Sequence, residues 1–572
     1  MLAATAIAVI AAPLAAQSLP TFDPARLARH VRTISADTYE GRAPATKGER
    51  MVVDYLVREF RTAGLKPGGD MVDGQRQWTQ RVPLLKSDIS GTPHLEFRTP
   101  AGVTPMTQGE QIAVRAPLNG QSQVALESLP VVFAGYGVTA PERQWDDFKD
   151  VDVRGKVILV LVNDPDFEGA NTDPMRGNFD GKAMTYHGRW TYKYEEAARR
   201  GAAGVLVVHE TDPASYGWAT VKNSNTNTMF DIVRQNPAAE HAPVEGWIQR
   251  DATVALFRAA GLDFEQAKQA ARRRDFRPID LKSRFVAHLS AKTETITSFN
   301  VAAMLPGRTR PDETVIYTAH HDHLGIGIPD ANGDRIFNGA LDNATGISHL
   351  IEQARAFARR PRTQRSVVFL AVGAEEKGLL GSEYYVANPL FPLSRTVGVL
   401  NTDSMGVWGP ARDFSMSGSA RLELLDMLVA EAGRQGRAFT PESNPGAGLF
   451  FRSDHFPFAK AGVPAISFKP GQNLVTGGVA RGSAIAADYT KNRYHQPDDE
   501  YRADWNFSGM AADARLLHAV GYGLANSAVW PGWAPGSEFG AEREKSAGER
   551  AVGASASEPA PSTAPPSKGE RG

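Results

Sequence analysis

The chain has 572 residues, of which 42% are hydrophobic and 22% charged, and its formal net charge is −1. This length predicts two or three domains of an ordinary soluble globular protein. The near-zero net charge gives no support to binding of nucleic acid or of an anionic membrane surface. The sequence contains no cysteine. Disulfides, thiolate metal sites and a cysteine nucleophile are therefore excluded, and any metal must be held by histidines and carboxylates.

The first residues, "MLAATAIAVIAAPLAAQSLP", form a short apolar run that ends in small residues. This pattern predicts a secretory signal peptide over residues 1–16, although no Lys or Arg precedes the apolar run. The run is short and contains Pro13, which argues against a lasting membrane anchor. We therefore expect a periplasmic or secreted protein with no stable membrane span after removal of the signal.

Three kinds of sequence follow one another along the rest of the chain. Residues 20–118 begin with helical periodicity and continue into strand-like alternation, and residues 119–292 carry short β-branched runs such as "GKVILVLVND". Residues 293–534 alternate buried-strand runs with helical segments, which predicts βαβ units and a mostly parallel sheet. Residues 535–572 are rich in Gly, Ala, Ser, Pro and Glu, and we expect them to be a disordered tail.

Three of the buried-strand runs, "TVIYTAHHD", "RSVVFLAVGAEE" and "TVGVLNTDS", end in side chains that can bind a metal. In parallel sheets, ligands bind beyond the carboxyl ends of the strands, so these ends are expected to meet in space. Asp342 lies in the Gly/Asn-rich turn "NGALDNATG" between the first two runs, and His495 lies in the later loop "NRYHQPDDE". The candidate residues at the strand ends are His320, Asp322, Glu375, Glu376 and Asp403.

The run "YTAHHDHLG" crowds three histidines together. Side chains alternate along a strand, so His320 and Asp322 should share one face, with His321 and His323 on the other. A ligating imidazole usually donates its second N–H to a carboxylate. His320 is therefore the predicted ligand and Asp322 its partner, while His321 and His323 are interpreted as lining or packing residues.

The adjacent acids Glu375 and Glu376 should also point in opposite directions in an extended segment, so we expect one to bind metal and the other to act as a base. Two histidines and three carboxylates can hold two divalent ions and leave positions open for water and substrate. Asp342 is the natural candidate to bridge two ions because it lies in a tight turn between the two halves of the site. Ser453 and Asp454 in "FRSDHFPFAK" are interpreted either as a helix N-cap or as part of a loop near the substrate.

The five blocks "AHHDHLG", "GALDNATG", "AEEKGLLGS", "LNTDSMG" and "YHQPDD", in this order, resemble the co-catalytic zinc aminopeptidases of peptidase clan MH, the leucyl-aminopeptidase-like relatives of glutamate carboxypeptidase. The resemblance covers roughly residues 296–530, and residues 120–290 resemble an inserted protease-associated domain. It implies an α/β fold with a mixed, mostly parallel central sheet flanked by helices, the zinc exopeptidase fold, and a β-rich insertion.

The resemblance also implies two zinc ions per chain. His320, Asp342 and Asp403 would hold one ion, and Asp342, Glu376 and His495 the other. Glu375 would be the general base, Asp322 the partner of His320, and Tyr494 a hydrogen-bond donor to the scissile carbonyl oxygen.

The function implied is that of an exported metalloaminopeptidase, in which a hydroxide bridging two zinc ions attacks the first peptide bond of a peptide substrate. A carboxypeptidase or dipeptidase on the same scaffold is the main alternative, and it would need basic residues that converge on a substrate carboxylate. A glutaminyl cyclase and a catalytically silent binding protein are further alternatives. The sequence leaves the oligomeric state open.

Overall fold

The computed structural model describes residues 19–169, 175 and 177–550. The predicted signal peptide at residues 1–16 lies outside this part of the chain, as do residues 551–572 of the predicted tail. The described residues form two large β-sheets that share one long strand, three separate two-stranded sheets, and helices packed around the large sheets.

The N-terminal segment supplies two helices and the first strands of both sheets. Its helices are α1 (Pro24–Ile34) and α2 (Lys47–Thr62), and its strands are β1 (Lys66–Pro67), β2 (Met71–Val72), β3 (Gln75–Arg76), β4 (Thr79–Ile89), β5 (His94–Thr99), β6 (Gly102–Pro105) and β7 (Ile112–Val114).

The middle segment alternates strands and helices and ends in a strand of 27 residues. Its elements are β8 (Gln123–Phe133), β9 (Thr139–Ala140), β10 (Trp145–Asp146), β11 (Val157–Leu161), α3 (Trp190–Arg199), β12 (Gly204–His209), α4 (Thr211–Ala214), α5 (Trp218–Asn225), β13 (Met229–Ile232), β14 (Val244–Gln249), α6 (Arg250–Ala259), α7 (Phe264–Ala271) and β15 (Ile279–Leu305).

The C-terminal segment contributes the centre of the main sheet. Its elements are β16 (Arg310–His320), β17 (Gly325–Ile326), β18 (Ile336–Phe337), α8 (Thr345–Ala358), β19 (Arg365–Val372), α9 (Leu380–Ala387), β20 (Thr396–Thr402), β21 (Asp413–Met416), α10 (Glu423–Arg434), β22 (Ala438–Phe439), α11 (His455–Lys460), β23 (Ala465–Pro470), α12 (Gly478–Asn492), α13 (Ser508–Asn526), α14 (Gly540–Glu544) and α15 (Ala547–Arg550).

The central sheet has four adjacent parallel strands in the order β19–β16–β20–β23. The C-terminal half of β15 pairs antiparallel with β19, and β4 pairs antiparallel with β15. All eight residues of β19 are buried, which requires cover on both faces of the sheet. Helices α8 and α13 pack against each other and against β16, β19 and β20, while α9 and α11 pack against each other. These features confirm the predicted α/β class, with a mixed sheet whose central strands are parallel.

The second sheet is formed by β8, β11, β12 and β14, which pair in parallel, and by antiparallel neighbours at its edges. Strand β15 joins the two sheets, because its first half pairs with β5 and β8 while its second half pairs with β4 and β19. Strands β5 to β7, which end at Val114, also belong to this sheet. The boundary expected between residues 118 and 119 is therefore too late, because the chain enters the second sheet at about His94.

Residues 535–550, the first part of the predicted tail, contact the rest of the protein. Phe539 is buried against Phe450 and Trp533, with ring centroids 5.9 and 5.0 Å away. The guanidinium of Arg543 donates a hydrogen bond of 2.9 Å to the carbonyl oxygen of Thr396. Phe539 and Arg543 thus hold residues 535–550 against the C-terminal segment, although the composition of residues 535–550 is mostly polar.

Among the helices of the described ranges, none combines the length and the apolar character that crossing a bilayer requires.

Candidate metal centre

The candidate site lies where the order of strands in the central sheet reverses. Strand β16 lies between β19 and β20, so the chain passes first to one side of β16 and then to the other. The carboxyl ends of these strands open a crevice at such a point. His320 is the last residue of β16, Asp403 directly follows β20, and Glu375 follows β19 by three residues.

Asp342 faces two imidazoles, one with each carboxylate oxygen. Its Oδ1 lies 3.3 Å from Nε2 of His320, and its Oδ2 lies 3.3 Å from Nε2 of His495. Nε2 of His320 is also 3.5 Å from Oδ1 of Asp403, and Nε2 of His495 is 3.1 Å from Oε2 of Glu376. The structure thus brings the five predicted ligands together as two clusters with Asp342 in common.

The residues present fit a pair of zinc ions. Nε2 of His320 and Nε2 of His495 are buried, yet neither makes a hydrogen bond of acceptable geometry to any group in the part of the chain that the structure describes. The ligand atoms of His320, Asp342 and Asp403 all lie within 4.8 Å of one another. Imidazole nitrogens and carboxylate oxygens are ligands that zinc accepts in catalytic sites. Imidazole nitrogens that face carboxylates and make no hydrogen bond in the described chain are the arrangement expected of metal ligands.

His323 belongs to this centre, which corrects its interpretation as a lining or packing residue. Its Nδ1 lies 2.6 Å from Oε1 of Glu376, while His495 faces the other oxygen of that carboxylate. Ligand atoms of His323, Asp342 and Glu376 also lie within 4.8 Å of one another. The alternation rule was wrong here because β16 ends at His320. The chain turns after that residue and brings His323 back towards the site.

His321, by contrast, faces away from the metal centre. Its Nε2 lies 2.8 Å from the carbonyl oxygen of Phe299, to which a protonated Nε2 donates. Burial lowers the pKa of His321 to about 4, so the ring is neutral at ordinary pH. This environment is that of a packing residue.

Glu375 and Glu376 have different environments, but not for the reason expected. They lie in a 3₁₀ turn, Glu375–Lys377, and not in an extended segment. Burial raises the pKa of Glu375 well above its usual range, and the adjacent Glu376 carboxylate raises it further. Burial acts on Glu376 as well, but His323 and His495 outweigh it and hold the pKa of Glu376 well below its usual range. One glutamate is therefore suited to hold a proton and the other to remain ionised.

Asp322 supports the glutamates more directly than it supports His320. Its Oδ1 accepts a hydrogen bond of 3.0 Å from the backbone N–H of Glu375, and its Oδ2 accepts one of 3.3 Å from that of Glu376. The distance from Oδ1 to Nδ1 of His320 is 3.8 Å, which is too long for a hydrogen bond. Nδ1 of His320 instead lies 3.3 Å from the backbone oxygen of Asp322. The predicted carboxylate–imidazole pair is thus replaced by a contact to the backbone.

Asp499 holds the turn that carries Asp342 and was not among the predicted residues. Its Oδ1 accepts from the N–H of Leu341 at 2.9 Å, and its Oδ2 accepts from the N–H of Asp342 at 3.1 Å. The hydroxyl of Tyr489 donates to the same Oδ2 at 3.1 Å. The motif "YHQPDDE" contains this residue, but nothing in its spacing reveals which of its acids reaches the distant turn.

Ser453 positions Asp403 and does not cap the following helix. Its hydroxyl donates 2.9 Å to Oδ2 of Asp403, and α11 has no side-chain hydrogen bond at its N-cap. Asp454 accepts a hydrogen bond of 2.7 Å from the Ser382 hydroxyl. Burial raises the pKa of Asp454 to about 7.

Tyr494 lies at the open side of the site. Its ring stacks on that of His495 with centroids 3.9 Å apart, and 44% of the residue is exposed. A phenol held at this position can donate a hydrogen bond to a molecule that enters the centre.

A known protein family matches the segment of the chain that contains the candidate site. Residues 300–518 match the family model described as peptidase family M28. This segment contains the five candidate ligands as well as Glu375 and Tyr494, so the M28 region and the candidate metal centre coincide.

Similar proteins include two curated aminopeptidases. Aminopeptidase YwaD of Bacillus subtilis is 29% identical over 182 residues, which is 32% of this chain and 37% of that protein. Aminopeptidase NAALADL1 of Mus musculus is 34% identical over 120 residues, 20% of this chain and 14% of that protein. The chain spans less than half of the length of the curated relatives it matches. Among solved structures, an aminopeptidase from Aneurinibacillus sp. strain AM-1 aligns with 87% of this chain and 93% of its own, with 19% identity and a TM-score of 0.47.

Proposed function

We propose that this protein is a zinc-dependent exopeptidase of family M28 that removes N-terminal residues from peptides. The observation that carries the proposal is the shared position of Asp342, whose two oxygens each face a different unpartnered imidazole. The names of the relatives, zinc metalloprotease and aminopeptidase, support the same activity. Two zinc ions would be held by His320, Asp342, Asp403, Glu376 and His495.

Zinc bound in such a centre acts as a Lewis acid and lowers the pKa of bound water towards 7. The protein's own residues then control where protons go. Oε2 of Glu375 lies 4.0 Å from Nε2 of His320, so its carboxyl group borders the space between the ligand clusters. Burial, which raises the pKa of Glu375, makes its carboxylate a stronger base, and this group can accept a proton from the attacking water and return it to the leaving amine.

Two further groups orient the reacting atoms. The hydroxyl of Tyr494, held by the stacking of its ring on His495, donates a hydrogen bond to the carbonyl oxygen of the scissile bond as negative charge develops there. Asp322 holds the backbone of Glu375 and Glu376 through the two hydrogen bonds described above. The base and its neighbouring ligand are thereby fixed relative to each other.

The names of two relatives, both aminopeptidases, are the reason for preferring aminopeptidase activity to carboxypeptidase activity on the same scaffold. The charge of the centre does not decide between the two activities, because two zinc ions would offset the four carboxylates of Asp342, Glu375, Glu376 and Asp403.

A carboxypeptidase is the second candidate, because arginines line a neighbouring pocket of about 520 Å³. The pocket shares Tyr489 with the wall of the metal centre and is lined by Arg481, Arg493 and Arg502. Two of these arginines are already paired with aspartates on the same surface. Arg481 alone, lacking a carboxylate partner within the described chain, is weaker support than the two relatives named as aminopeptidases.

A panel of chromogenic amides tests the proposal. The zinc-loaded protein should hydrolyse leucine amides with a free amino group, and a chelator should abolish that activity until zinc is restored. N-acylated leucine amides should not be cleaved. Hydrolysis confined to acyl-capped substrates that bear a free carboxylate would overturn the aminopeptidase proposal in favour of the carboxypeptidase. No zinc-dependent hydrolysis of either kind would overturn both.

We further propose that the protein is exported to the periplasm or secreted, and that the second sheet is a protease-associated insertion. The small-residue motif that ends at Ala16 supports export. Helix α3, which packs against β12 of the second sheet, contacts the C-terminal segment through Glu195, whose carboxylate accepts from Lys460 at 2.8 Å. Mass measurement of the protein from extracytoplasmic fractions should show loss of about 16 residues, and an uncleaved cytoplasmic protein would contradict export.

A further inference from the structure

Arg42 lies buried beneath the loops that carry His320 and Asp342, and only 1% of it is exposed. All four hydrogen bonds of its guanidinium go to backbone carbonyl oxygens. Nε donates to His321 at 2.9 Å, Nη1 donates to Ile34 at 2.9 Å and to Asn338 at 2.6 Å, and Nη2 donates to Gly339 at 2.9 Å.

These contacts join two separate parts of the metal centre. His321 directly follows His320, and Gly339 comes three residues before Asp342. A single planar guanidinium therefore sets the distance between the backbone that presents His320 and the backbone that presents Asp342. Lysine cannot reproduce this arrangement, because an ammonium group has three donors on one atom and no fork.

The charge of Arg42 is also matched to the site. A buried cation without a contacting anion costs several kcal/mol unless its surroundings compensate. Burial lowers the pKa of Arg42 to about 10, and the negative charges of Asp322, Asp499, Asp342 and Glu376 act to raise it. Arg42 is thus protonated at neutral pH and offsets part of the repulsion among the carboxylates of the centre.

The backbone around Arg42 is closely fitted to the same loops. Gly41 has φ +65°, and a Cβ added to it would lie 2.5 Å from the carbonyl oxygen of Phe337 and 2.6 Å from that of Gly325. The turn beyond it is anchored by Glu49, which accepts hydrogen bonds from the backbone N–H groups of Ala45 and Phe299. The chain is therefore held in place both before Arg42, at Gly41, and after it, at the turn that Glu49 anchors.

We infer that Arg42 is a positioning residue that presets the spacing of His320 and Asp342 for metal binding. The inference rests on the proposed function in one respect, that zinc is the metal bound. It adds the N-terminal segment, which lies outside the M28 match, to the parts of the chain that the metal centre needs.

The experiment measures zinc affinity by competition with a chromogenic chelator in three full-length proteins, namely wild type, Arg42→Lys and Arg42→Gln. We expect both variants to bind zinc about 10- to 100-fold more weakly, the range seen when groups that support metal ligands are changed. Arg32→Lys, at an exposed position of α1, is the matched control and should bind like wild type. Circular dichroism of the zinc-free proteins establishes that each variant is folded.

A folded Arg42→Lys protein with wild-type zinc affinity would overturn the inference, as would equal loss of thermal stability in the zinc-free and zinc-loaded forms without loss of affinity. Arg42→Gln keeps a planar donor group, so it provides the same comparison if Arg42→Lys does not fold. The experiment measures zinc binding and not hydrolysis, so failure of the proposed function can be distinguished from failure of this inference. A wild-type protein that binds zinc but hydrolyses no peptide contradicts the proposed function and leaves this inference standing.

Discussion

The two sheets place polar residues at the carboxyl ends of their parallel strands, but among the described residues only those of the central sheet form a candidate metal centre. In the second sheet, Asp164 follows β11 and Glu210 follows β12. Asp164 accepts hydrogen bonds from the backbone N–H and the hydroxyl of Thr185, at 2.7 and 2.8 Å. Glu210 pairs with Lys268 at 2.7 Å and with Arg250 at 3.3 Å. Each of these acids is satisfied by a group within the protein.

In the central sheet the corresponding residues face one another. The Nε2 atoms of His320 and His495 face the carboxylates of Asp342 and Glu376, yet they have no hydrogen-bond partner in the described chain. Polar residues at strand ends are thus not sufficient evidence of a site. The distinguishing feature is that carboxylates converge on imidazole nitrogens that make no hydrogen bond in the described chain, as the ligands of a cation would.

The largest effect on zinc content is expected for replacement of Asp342 in the central sheet, compared with a matched replacement in the second sheet. Asp342→Ala removes the carboxylate shared by both clusters, so bound zinc and peptidase activity should be lost together. Asp164→Asn, the matched change at the second sheet, should leave zinc content unchanged and alter stability only. Elemental analysis of the dialysed proteins measures both. Stoichiometric zinc in an inactive Asp342→Ala protein would show that Asp342 does not bridge the ions.

Replacement of Glu375 should separate catalysis from metal binding. Glu375→Gln preserves size but cannot hold a proton, so turnover should fall by about 10²- to 10⁴-fold while zinc content stays near that of wild type. Glu376→Gln should lose zinc as well, because Glu376 faces His495 at 3.1 Å. Parallel measurements of kcat and zinc content distinguish the two roles. If the two variants lost zinc equally, Glu375 would have to be reassigned as a ligand.

The parts of the site that could be predicted from sequence are those determined by local pattern. Buried β-branched runs identified β16, β19 and β20, and the common edge of parallel strands brought His320 and Asp403 together. The turn of Asp342 was predictable from its Gly and Asn neighbours. These features depend on residues close in sequence, or on a general rule of sheet geometry.

The remaining features depend on where strands end and on long-range pairing. His323 enters the site because β16 stops at His320, and no pattern in "HHDHLG" indicates that end point. Strand β5 joins the second sheet because β15 runs through both sheets, and local sequence does not specify which partner a strand will choose. Arg42 acts on backbone carbonyls almost 300 residues away, a contact that has no sequence signature.

Two histidines of the run "HHDH" can be compared in the same way, because His323 contacts a predicted metal ligand and His321 does not. His323→Ala should weaken zinc binding by about 10- to 100-fold, because Nδ1 of His323 holds one oxygen of Glu376. His321→Ala, two residues away and facing Phe299, should reduce stability but not zinc affinity. Chelator competition and thermal unfolding of both variants provide the test. Equal zinc affinities in the two would return His323 to the class of packing residues.

No effect on the metal centre is expected at a histidine of the middle segment, whose titration affects only stability. His241 lies between Asp231 and Glu245, at 3.0 and 3.1 Å, and these acids also pair with Arg234 and Arg115. Burial alone would lower the pKa of His241, but the two carboxylates outweigh it and raise the pKa from 6.5 to about 9. The folded protein therefore holds this proton more tightly than the unfolded chain.

The stabilising contribution of His241 is complete below pH 6.5 and is lost as the pH rises through 9. A shift of this size corresponds to roughly 3 kcal/mol of unfolding free energy. The thermal midpoint of the wild type should fall between pH 6.5 and 9.5, and His241→Gln should flatten that fall without changing zinc content. If the pH dependence were the same in both proteins, it would have to come from other groups. His241 would then have no share in the alkaline loss of stability.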